Sequence, residues 1–312
     1  MEHISIFNNI RGAMYGVAVG DALGGPVEFM SAEQIKKKYG RVTEMLGGGW
    51  LGLEPGEVTD DTQMTMAVAL GIEEDPYDPV PAIGRRFVEW YDSGPKDIGT
   101  TCSKAIYTAK SDGAKTAKDW AKAGQKTDIA LHGRSAGNGA LMRTVYTGLY
   151  YADESTRDRL TARIAEMTHF SADSTDLCIR YADMIHAAIF GGHPIIAVTS
   201  EDIDSKASPT GYVKDTWNNV IDAILQTETF EEAVVEAVNR GGDADTIGAI
   251  TGGLAGAYYG YEAIPKRWIA ALDESLKKDM DRLAEKAYNA NREYYRNHYQ
   301  VPERLLQKLQ EV

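Results

Sequence analysis

The sequence has few cysteines and no long apolar run. Only two of its 312 residues are cysteines, too few for a disulfide framework or a thiolate zinc site, and this favours a reducing compartment. Residues 1–5 show no charged segment followed by an apolar one, so we expect no export signal. The longest weakly polar stretch, residues 247–261, is too short and too glycine-rich to span a bilayer. We therefore expect a cytoplasmic protein without membrane insertion.

Positive charge is also scarce. Lysine and arginine number 33 against 46 aspartates and glutamates, which gives a formal net charge of −13. A nucleic-acid-binding surface needs a basic stripe, so we expect no nucleic-acid partner. An anionic ligand would bind only where metal ions or helix N-termini reverse the local sign of charge.

Runs of valine, isoleucine and threonine with the two-residue period of a strand are almost absent, whereas helical spacing recurs along the chain. The fold class is therefore predicted to be all-α. Two of the predicted helices carry a glycine at every fourth position: Gly12, Gly16, Gly20 and Gly24 in the first, and Gly248, Gly252, Gly256 and Gly260 in the second. Each interior glycine costs about 1 kcal/mol relative to alanine, so we expect both helices to be buried, to approach neighbours closely and to bring their end loops into one cleft.

Two short acidic motifs contain the main candidate metal ligands. They are Thr59-Asp60-Asp61-Thr62 and Asp243-Ala244-Asp245-Thr246. Hard cations such as Mg²⁺ or Mn²⁺ prefer about six oxygen ligands, and clustered carboxylates repel one another unless cations lie between them. The alternative is that each motif only caps a helix, because threonine and aspartate are favoured N-caps. The motifs can share ions only if the chain folds around both, so we expect one domain over residues 1–312.

Further candidates lie on predicted loops. Glu28 follows a turn and is either a cleft carboxylate or a residue at the edge of the core, and Asp97 is either a functional carboxylate or the N-cap of the next helix. Residues 132–143 are glycine-rich and offer backbone N–H groups to a phosphate, although the segment matches neither a P-loop nor a dinucleotide fingerprint. A histidine in the position of His169 is more often a core or capping residue than a functional one. Residues 111–128 are polar and lysine-rich and are expected to form an exposed excursion.

Taken together, these motifs resemble the ADP-ribosylhydrolase family. The similarity rests on the two acidic motifs, on Gly20-Asp21-Ala22-Leu23-Gly24, on Gly137-Asn138-Gly139 through Arg143, and on Gly47-Gly48-Gly49-Trp50-Leu51. It covers roughly residues 10–270 and is strongest to the bacterial branch, the dinitrogenase reductase activating glycohydrolases. One departure is Arg134-Ser135, where that branch tends to have an acidic residue.

The resemblance implies an all-α domain with a cleft that holds two divalent ions, Mn²⁺ or Mg²⁺. Carried over by position, the implied metal ligands are Thr59, Asp60, Asp61, Asp243, Asp245 and Thr246. Asp97 matches the family's catalytic carboxylate and Glu28 a cleft acid. The implied substrate-binding residues are Ser135, Gly137, Asn138, Gly139, His169 and Tyr212.

The implied reaction is hydrolysis of the N-glycosidic bond between ADP-ribose and a protein arginine, with an ADP-ribosylated protein such as dinitrogenase reductase as the partner. Cleavage would pass through an oxocarbenium-like state and require a proton for the arginine leaving group, which is a strong base. Two other interpretations remain open. One is a dimetal nucleotide phosphohydrolase, which would release AMP from ADP-ribose, and the other is a non-catalytic ADP-ribose-binding protein.

Overall fold

The computed structural model describes residues 6–190 and 203–298, and the regular structure within them is helical. Extended pairing in these residues is limited to three isolated bridges. This confirms the all-α prediction. The described helices are α1 (Ile6–Gly24), α2 (Ala32–Tyr39), α3 (Asp60–Glu74), α4 (Val80–Asp92), α5 (Thr100–Ser111), α6 (Ala117–Ala130), α7 (Val145–Tyr150), α8 (Glu154–Glu166), α9 (Ala172–Phe190), α10 (Val213–Leu225), α11 (Phe230–Asn239), α12 (Ala244–Tyr259), α13 (Lys266–Ala271) and α14 (Glu274–His298).

The two glycine-rich helices, α1 and α12, pack against each other backbone to backbone. A Cβ atom added at Gly16 would overlap the carbonyl of Gly252, and one added at Gly252 would overlap the carbonyl of Gly16. The same relation joins Gly12 to Gly256, near the other end of the contact. Only glycine permits this separation, because any side chain would occupy the space of the opposite backbone. The close approach predicted from the glycine spacing is confirmed.

The pairing order shows that α1 and α12 run antiparallel, since Gly12 faces Gly256 while Gly24 faces Ala244. The C-terminal end of α1 therefore meets the N-terminal end of α12. Helix α3 begins at the same place, because the backbone N–H of Thr59 donates to the carboxylate of Asp21 near the end of α1. Three helix ends thus converge on one side of the protein.

The lysine-rich segment 111–128 was expected to be an exposed excursion, and that expectation is wrong. Most of it belongs to α6, which starts with a capping box between Thr116 and Asp119. One face of α6 is buried, and Trp120 is 2% exposed with its ring centre 6.3 Å from that of Phe87. The lysines occupy the solvent face of an amphipathic helix. The polar composition of the segment therefore does not indicate that its other face packs against the core.

Within residues 6–190 and 203–298, none of the helices is both long enough and apolar enough to cross a membrane. The prediction of one domain over residues 1–312 stays a prediction.

Candidate active site

A cleft of about 640 Å³ opens where the three helix ends converge. Its volume lies within the range of about 300–1,000 Å³ typical of small-molecule sites. Acidic residues, glycine-rich backbone and two aromatic side chains make up its lining. The lining includes Glu28, Phe29, Trp50, Asp60, Asp97, Gly99, Gly137, Asn138, Gly139, His169, Gly211, Asp243, Asp245 and Thr246.

The start of α3 is held in place by Asp21, which is completely buried. Its carboxylate accepts hydrogen bonds from the backbone N–H groups of Thr59 and Thr62, each at 3.0 Å. It also accepts from the hydroxyls of Thr59 at 2.8 Å and Thr62 at 2.5 Å. The side chain of Thr59 makes no capping bond to α3. The hydroxyl proton of Thr59 therefore points to Asp21, which leaves its oxygen lone pairs free for another partner.

The start of α12 contributes Asp243, Asp245 and Thr246. Asp243 occupies the N-cap position, but its side chain makes no capping bond and instead accepts from the amide of Asn138 at 2.6 Å. The hydroxyl of Thr246 donates to Asp61 Oδ2 across the junction of α3 and α12 at 3.3 Å. Neither acidic motif uses its cap residue for capping, so the capping interpretation does not account for these side chains.

Three carboxylates that line the cleft lie close together. One oxygen each of Glu28, Asp97 and Asp245 falls within 4.8 Å of the others. Asp245 is one of the six predicted metal ligands and the other two are the predicted catalytic groups, so the cluster joins one predicted ligand to both predicted catalytic residues. Asp97 is not an N-cap, because α5 begins at Thr100 with Gly99 as its N-cap residue. Glu28 also accepts a hydrogen bond from Trp50 Nε1 at 2.7 Å.

Burial raises the pKa of several carboxyl groups in this cluster. The pKa of Glu28 rises to about 8, mainly through burial and then through the charges of Asp97 and Asp243, against the opposing bond from Trp50. The pKa of Asp60 also rises to about 8, again through burial first and then through Asp97 and Asp21.

Burial places the pKa values of Asp61 and Asp245 well above their usual range. The pKa of Asp21 rises to about 6, since its four hydrogen bonds offset only part of the burial effect. Ionising all these groups together would require positive charge nearby.

The donor set fits hard divalent cations. It consists of carboxylate and hydroxyl oxygens only, which suits Mg²⁺ and Mn²⁺. Asp61 Oδ1 is buried without a hydrogen-bond partner, although such atoms are normally satisfied in native proteins. The hydroxyls of Thr59 and Thr246 direct their protons to carboxylates and keep their lone pairs available. A buried acidic cluster of this kind is able to hold a metal ion.

The structure separates the predicted substrate-binding residues into two groups. Gly137, Asn138, Gly139 and His169 line the cleft. Ser135 is fully buried and donates its hydroxyl to Asp128 at 2.7 Å, so its side chain does not reach the cleft.

Tyr212 lines a neighbouring pocket with Arg134. The Tyr212 hydroxyl donates to Asp173 at 2.9 Å. Arg134 itself is exposed, and its Nε donates to the carbonyl of Leu131 at 3.3 Å.

Sequence reasoning assigned no role to three residues that shape this site. Asp21 was noted only as part of a motif, although a carboxylate in a helix row of small residues signals a buried acid. Trp50 enters the sequence analysis only as part of the Gly47–Leu51 motif, and its bond to Glu28 joins residues from separate turns. Arg143 was noted at the end of the glycine-rich segment, and it proves to be completely buried.

Comparison with known proteins agrees with this geometry. The ADP-ribosylglycohydrolase family model matches residues 2–297. The chain is 35% identical over 294 residues to ADP-ribosyl-dinitrogen reductase glycohydrolase of Rhodospirillum rubrum, covering 89% of this chain and 95% of the relative. It is 27% identical over 304 residues to ADP-ribosylarginine hydrolase of Serratia proteamaculans (strain 568), covering 89% of this chain and 78% of the relative.

A solved structure described as an ADP-ribosylglycohydrolase-related protein complex superposes with a TM-score of 0.76 at 32% identity, covering 92% of this chain and 99% of that one. The residues 2–297 that the family model matches include the helices that form the cleft. The chain belongs to the ADP-ribosylglycohydrolase family, which confirms the enzyme class predicted from its sequence.

Proposed function

We propose that this protein hydrolyses the N-glycosidic bond between ADP-ribose and an arginine side chain of a modified protein. The observation that carries the proposal is the carboxylate cluster of Glu28, Asp97 and Asp245 in the cleft, in a member of this family. The two relatives above are named for ADP-ribosylated dinitrogen reductase and for ADP-ribosylarginine. Both names describe removal of ADP-ribose from a protein or from arginine.

The reaction breaks the bond between ribose C1″ and the guanidino nitrogen. Water adds to C1″, and the leaving nitrogen gains a proton, so that ADP-ribose and unmodified arginine are released. Positive charge develops on the ribose in the transition state, and the negative charge of Asp97 would stabilise it. A carboxyl group with a raised pKa, as at Glu28, is suited to hold the proton that the leaving group needs.

Two divalent ions, Mn²⁺ or Mg²⁺, would be held by the oxygen atoms of six residues. When bound they would neutralise the carboxylates and supply an activated water. Asn138 would orient Asp243 through their 2.6 Å hydrogen bond, and Asp21 would orient Thr59. The proposed ligands are Thr59, Asp60, Asp61, Asp243, Asp245 and Thr246.

The test is incubation of an arginine-ADP-ribosylated protein with the purified chain in the presence of Mn²⁺ or EDTA, followed by identification of the products. We expect intact ADP-ribose with Mn²⁺ and none with EDTA. Release of AMP would instead support a phosphohydrolase, and binding of ADP-ribose without any product would support the non-catalytic alternative.

Single substitutions distinguish the proposed metal ligands from the proposed catalytic carboxylate. Asp243→Asn should lose both Mn²⁺ binding and turnover, whereas the control Asp78→Asn alters an exposed carboxylate just before α4 and should behave as wild type. Asp97→Asn should keep Mn²⁺ binding and lose most turnover. If Asp97→Asn loses Mn²⁺ as well, Asp97 is itself a metal ligand, which its closeness to Asp245 allows.

For the natural target we propose ADP-ribosylated dinitrogenase reductase, because the R. rubrum relative is named for it. The discriminating measurement compares kcat/KM on that protein with kcat/KM on an unrelated protein carrying ADP-ribosyl-arginine. A clear preference for the former is expected, and equal values would reject this target while leaving the reaction class intact.

A further inference from the structure

Arg143 is a completely buried cation. No carboxylate of the described residues forms an ion pair with it, and the charge of Asp60 acts on it only without direct contact. It sits at the end of the short turn Leu141–Arg143, directly after the glycine loop of the cleft. Its guanidinium donates to the carbonyl oxygens of Gly139 and Ile164, the latter at 3.2 Å, and packs 5.1 Å from the ring centre of Phe87. Burying a charge among neutral groups is costly, so a positional role would explain why this arginine is here.

Arg143 makes two further bonds, one from Nη1 to Cys102 Sγ at 3.7 Å and one to Thr168, and the second determines how the hydroxyl of Thr168 is oriented. Arg143 Nη2 donates to Thr168 Oγ1 at 2.8 Å. A guanidinium has no acceptor, so it takes up a lone pair of this oxygen and leaves the single hydroxyl proton of Thr168 free to donate elsewhere.

The nearest strong acceptor for that proton is Nδ1 of His169, 2.8 Å from Thr168 Oγ1. The other neighbour is the thiol of Cys102, a weak acceptor. Burial raises the pKa of that thiol to about 11, so it is neutral near pH 7. An Nδ1 that accepts a hydrogen bond belongs to a neutral imidazole whose proton is on Nε2. The neutral form agrees with burial and the charge of Arg143, which lower the pKa of His169 to about 3.

The other edge of the His169 ring faces the cleft. His169 lines the cleft, and a Cβ added at Gly137 would lie 3.2 Å from Nε2, while one added at Gly139 would lie 2.9 Å from Cε1. Nε2 makes no hydrogen bond to any residue of the described ranges. An N–H group fixed in this position is available to an acceptor oxygen of a bound molecule.

We propose that Arg143 and Thr168 are positioning residues that hold His169 in the Nε2–H form, so that it donates a hydrogen bond to an oxygen of ADP-ribose in the cleft. The tautomer follows from the ranking of the two acceptors near Thr168, because an imidazole nitrogen accepts more strongly than a neutral thiol, whereas the identity of the ligand rests on the proposed function. Reversing the tautomer would present a lone pair to the ligand instead of a proton, and the hydrogen bond would be lost.

The first measurement is the ¹⁵N NMR spectrum of the ¹⁵N-histidine-labelled full-length protein near pH 7, with the His169 signals assigned by their absence in His169→Ala. We expect Nε2 to be protonated and Nδ1 to be bare. A proton found on Nδ1 would overturn the proposal without requiring any further variant.

The second measurement compares Thr168→Val, which keeps the shape and removes the hydroxyl, with Thr168→Ser, which keeps the hydroxyl. We expect Thr168→Val to shift the His169 tautomer and to weaken ADP-ribose binding about tenfold by calorimetry, the effect of one lost hydrogen bond. Thr168→Ser should restore the wild-type tautomer and most of the affinity. Wild-type affinity in Thr168→Val would overturn the proposal, whereas a wild-type protein that fails to bind or release ADP-ribose would count against the proposed function instead.

Discussion

Substitution of Asp21 is the most direct test of how the fold positions the residues of the candidate metal centre. Its carboxylate accepts four hydrogen bonds, two from Thr59 and two from Thr62, within 2.5 to 3.0 Å. Asp21→Asn keeps the size of the side chain but replaces one acceptor oxygen with an NH₂ group. That group is itself a donor, so the N–H and O–H groups that face it lose their acceptor.

The expected effect on metal binding is larger than the effect on folding. Lost bonds to a charged acceptor would cost about 1.5–3 kcal/mol each, but the asparagine also removes the burial cost that raises the pKa of Asp21, and these changes offset one another. The Thr59 hydroxyl, however, is no longer held with its proton directed away from the proposed ion. Loss of such outer-shell partners typically reduces metal affinity by about 10–100-fold.

Calorimetric titration of the metal-free protein with Mn²⁺ would measure this loss. Thr65→Val is the matched control, because Thr65 lies on α3, whose start Asp21 holds, is as buried as Asp21 and donates to the carbonyl of Met142 rather than to Asp21. We expect Thr65→Val to bind Mn²⁺ as wild type does. An affinity of Asp21→Asn equal to that of Thr65→Val would refute the view that Asp21 orients the centre.

Three further predictions follow from the same contacts. The pKa values of Glu28 and Asp60 are about 8 in the folded protein and about 4 in the unfolded chain. The folded metal-free protein therefore holds these protons more tightly than the unfolded chain does, and the stability that this gives is lost as pH rises through 8. Added Mn²⁺ should therefore raise Tm more at about pH 9 than at about pH 7, and equal shifts would contradict this. Gly252→Ala should lower the urea midpoint, because its methyl group would overlap Gly16 and overpacking typically costs about 1–3 kcal/mol; an unchanged midpoint would mean that α1 and α12 do not touch there. Ser135→Ala should leave KM for ADP-ribosyl-arginine within about twofold, since its hydroxyl donates to Asp128, and a tenfold rise would return Ser135 to the binding site.

The fold was largely predictable because its central feature leaves a strong sequence signal. Glycines at every fourth position of two helices are costly unless backbones meet, and Gly16 and Gly252 do meet. Helix α6 was missed because its buried face consists of few residues, such as Trp120 and Ala123, scattered among lysines. The burial of such a face depends on which helices pack against it, and local composition does not encode this.

The types of residue in the candidate site were predictable from the sequence, but the directions in which their side chains point were not. Carboxylates and hydroxyls in two motifs indicated a shared centre, and Thr246 does bond to Asp61 across the junction. Ser135 lies in the glycine-rich segment and the backbone of Tyr212 pairs with Gly137 in the fold, yet their side chains turn to Asp128 and Asp173. The direction of a side chain depends on tertiary hydrogen bonds, which the spacing of residues along the chain does not contain.

The position of the acidic cluster explains why the two rows of glycines run along most of the length of α1 and α12. Carboxylates whose burial raises their pKa values oppose folding when they are ionised, so the elements that hold them need stability from elsewhere. The backbone contacts run from Gly12 and Gly256 to Gly24 and Ala244, and only the last of them lies beside the cluster. Most of the packing between the two helices is therefore remote from the proposed ions. It follows that removing metal should lower the stability of the protein but leave it folded, with its ligands still near their binding positions.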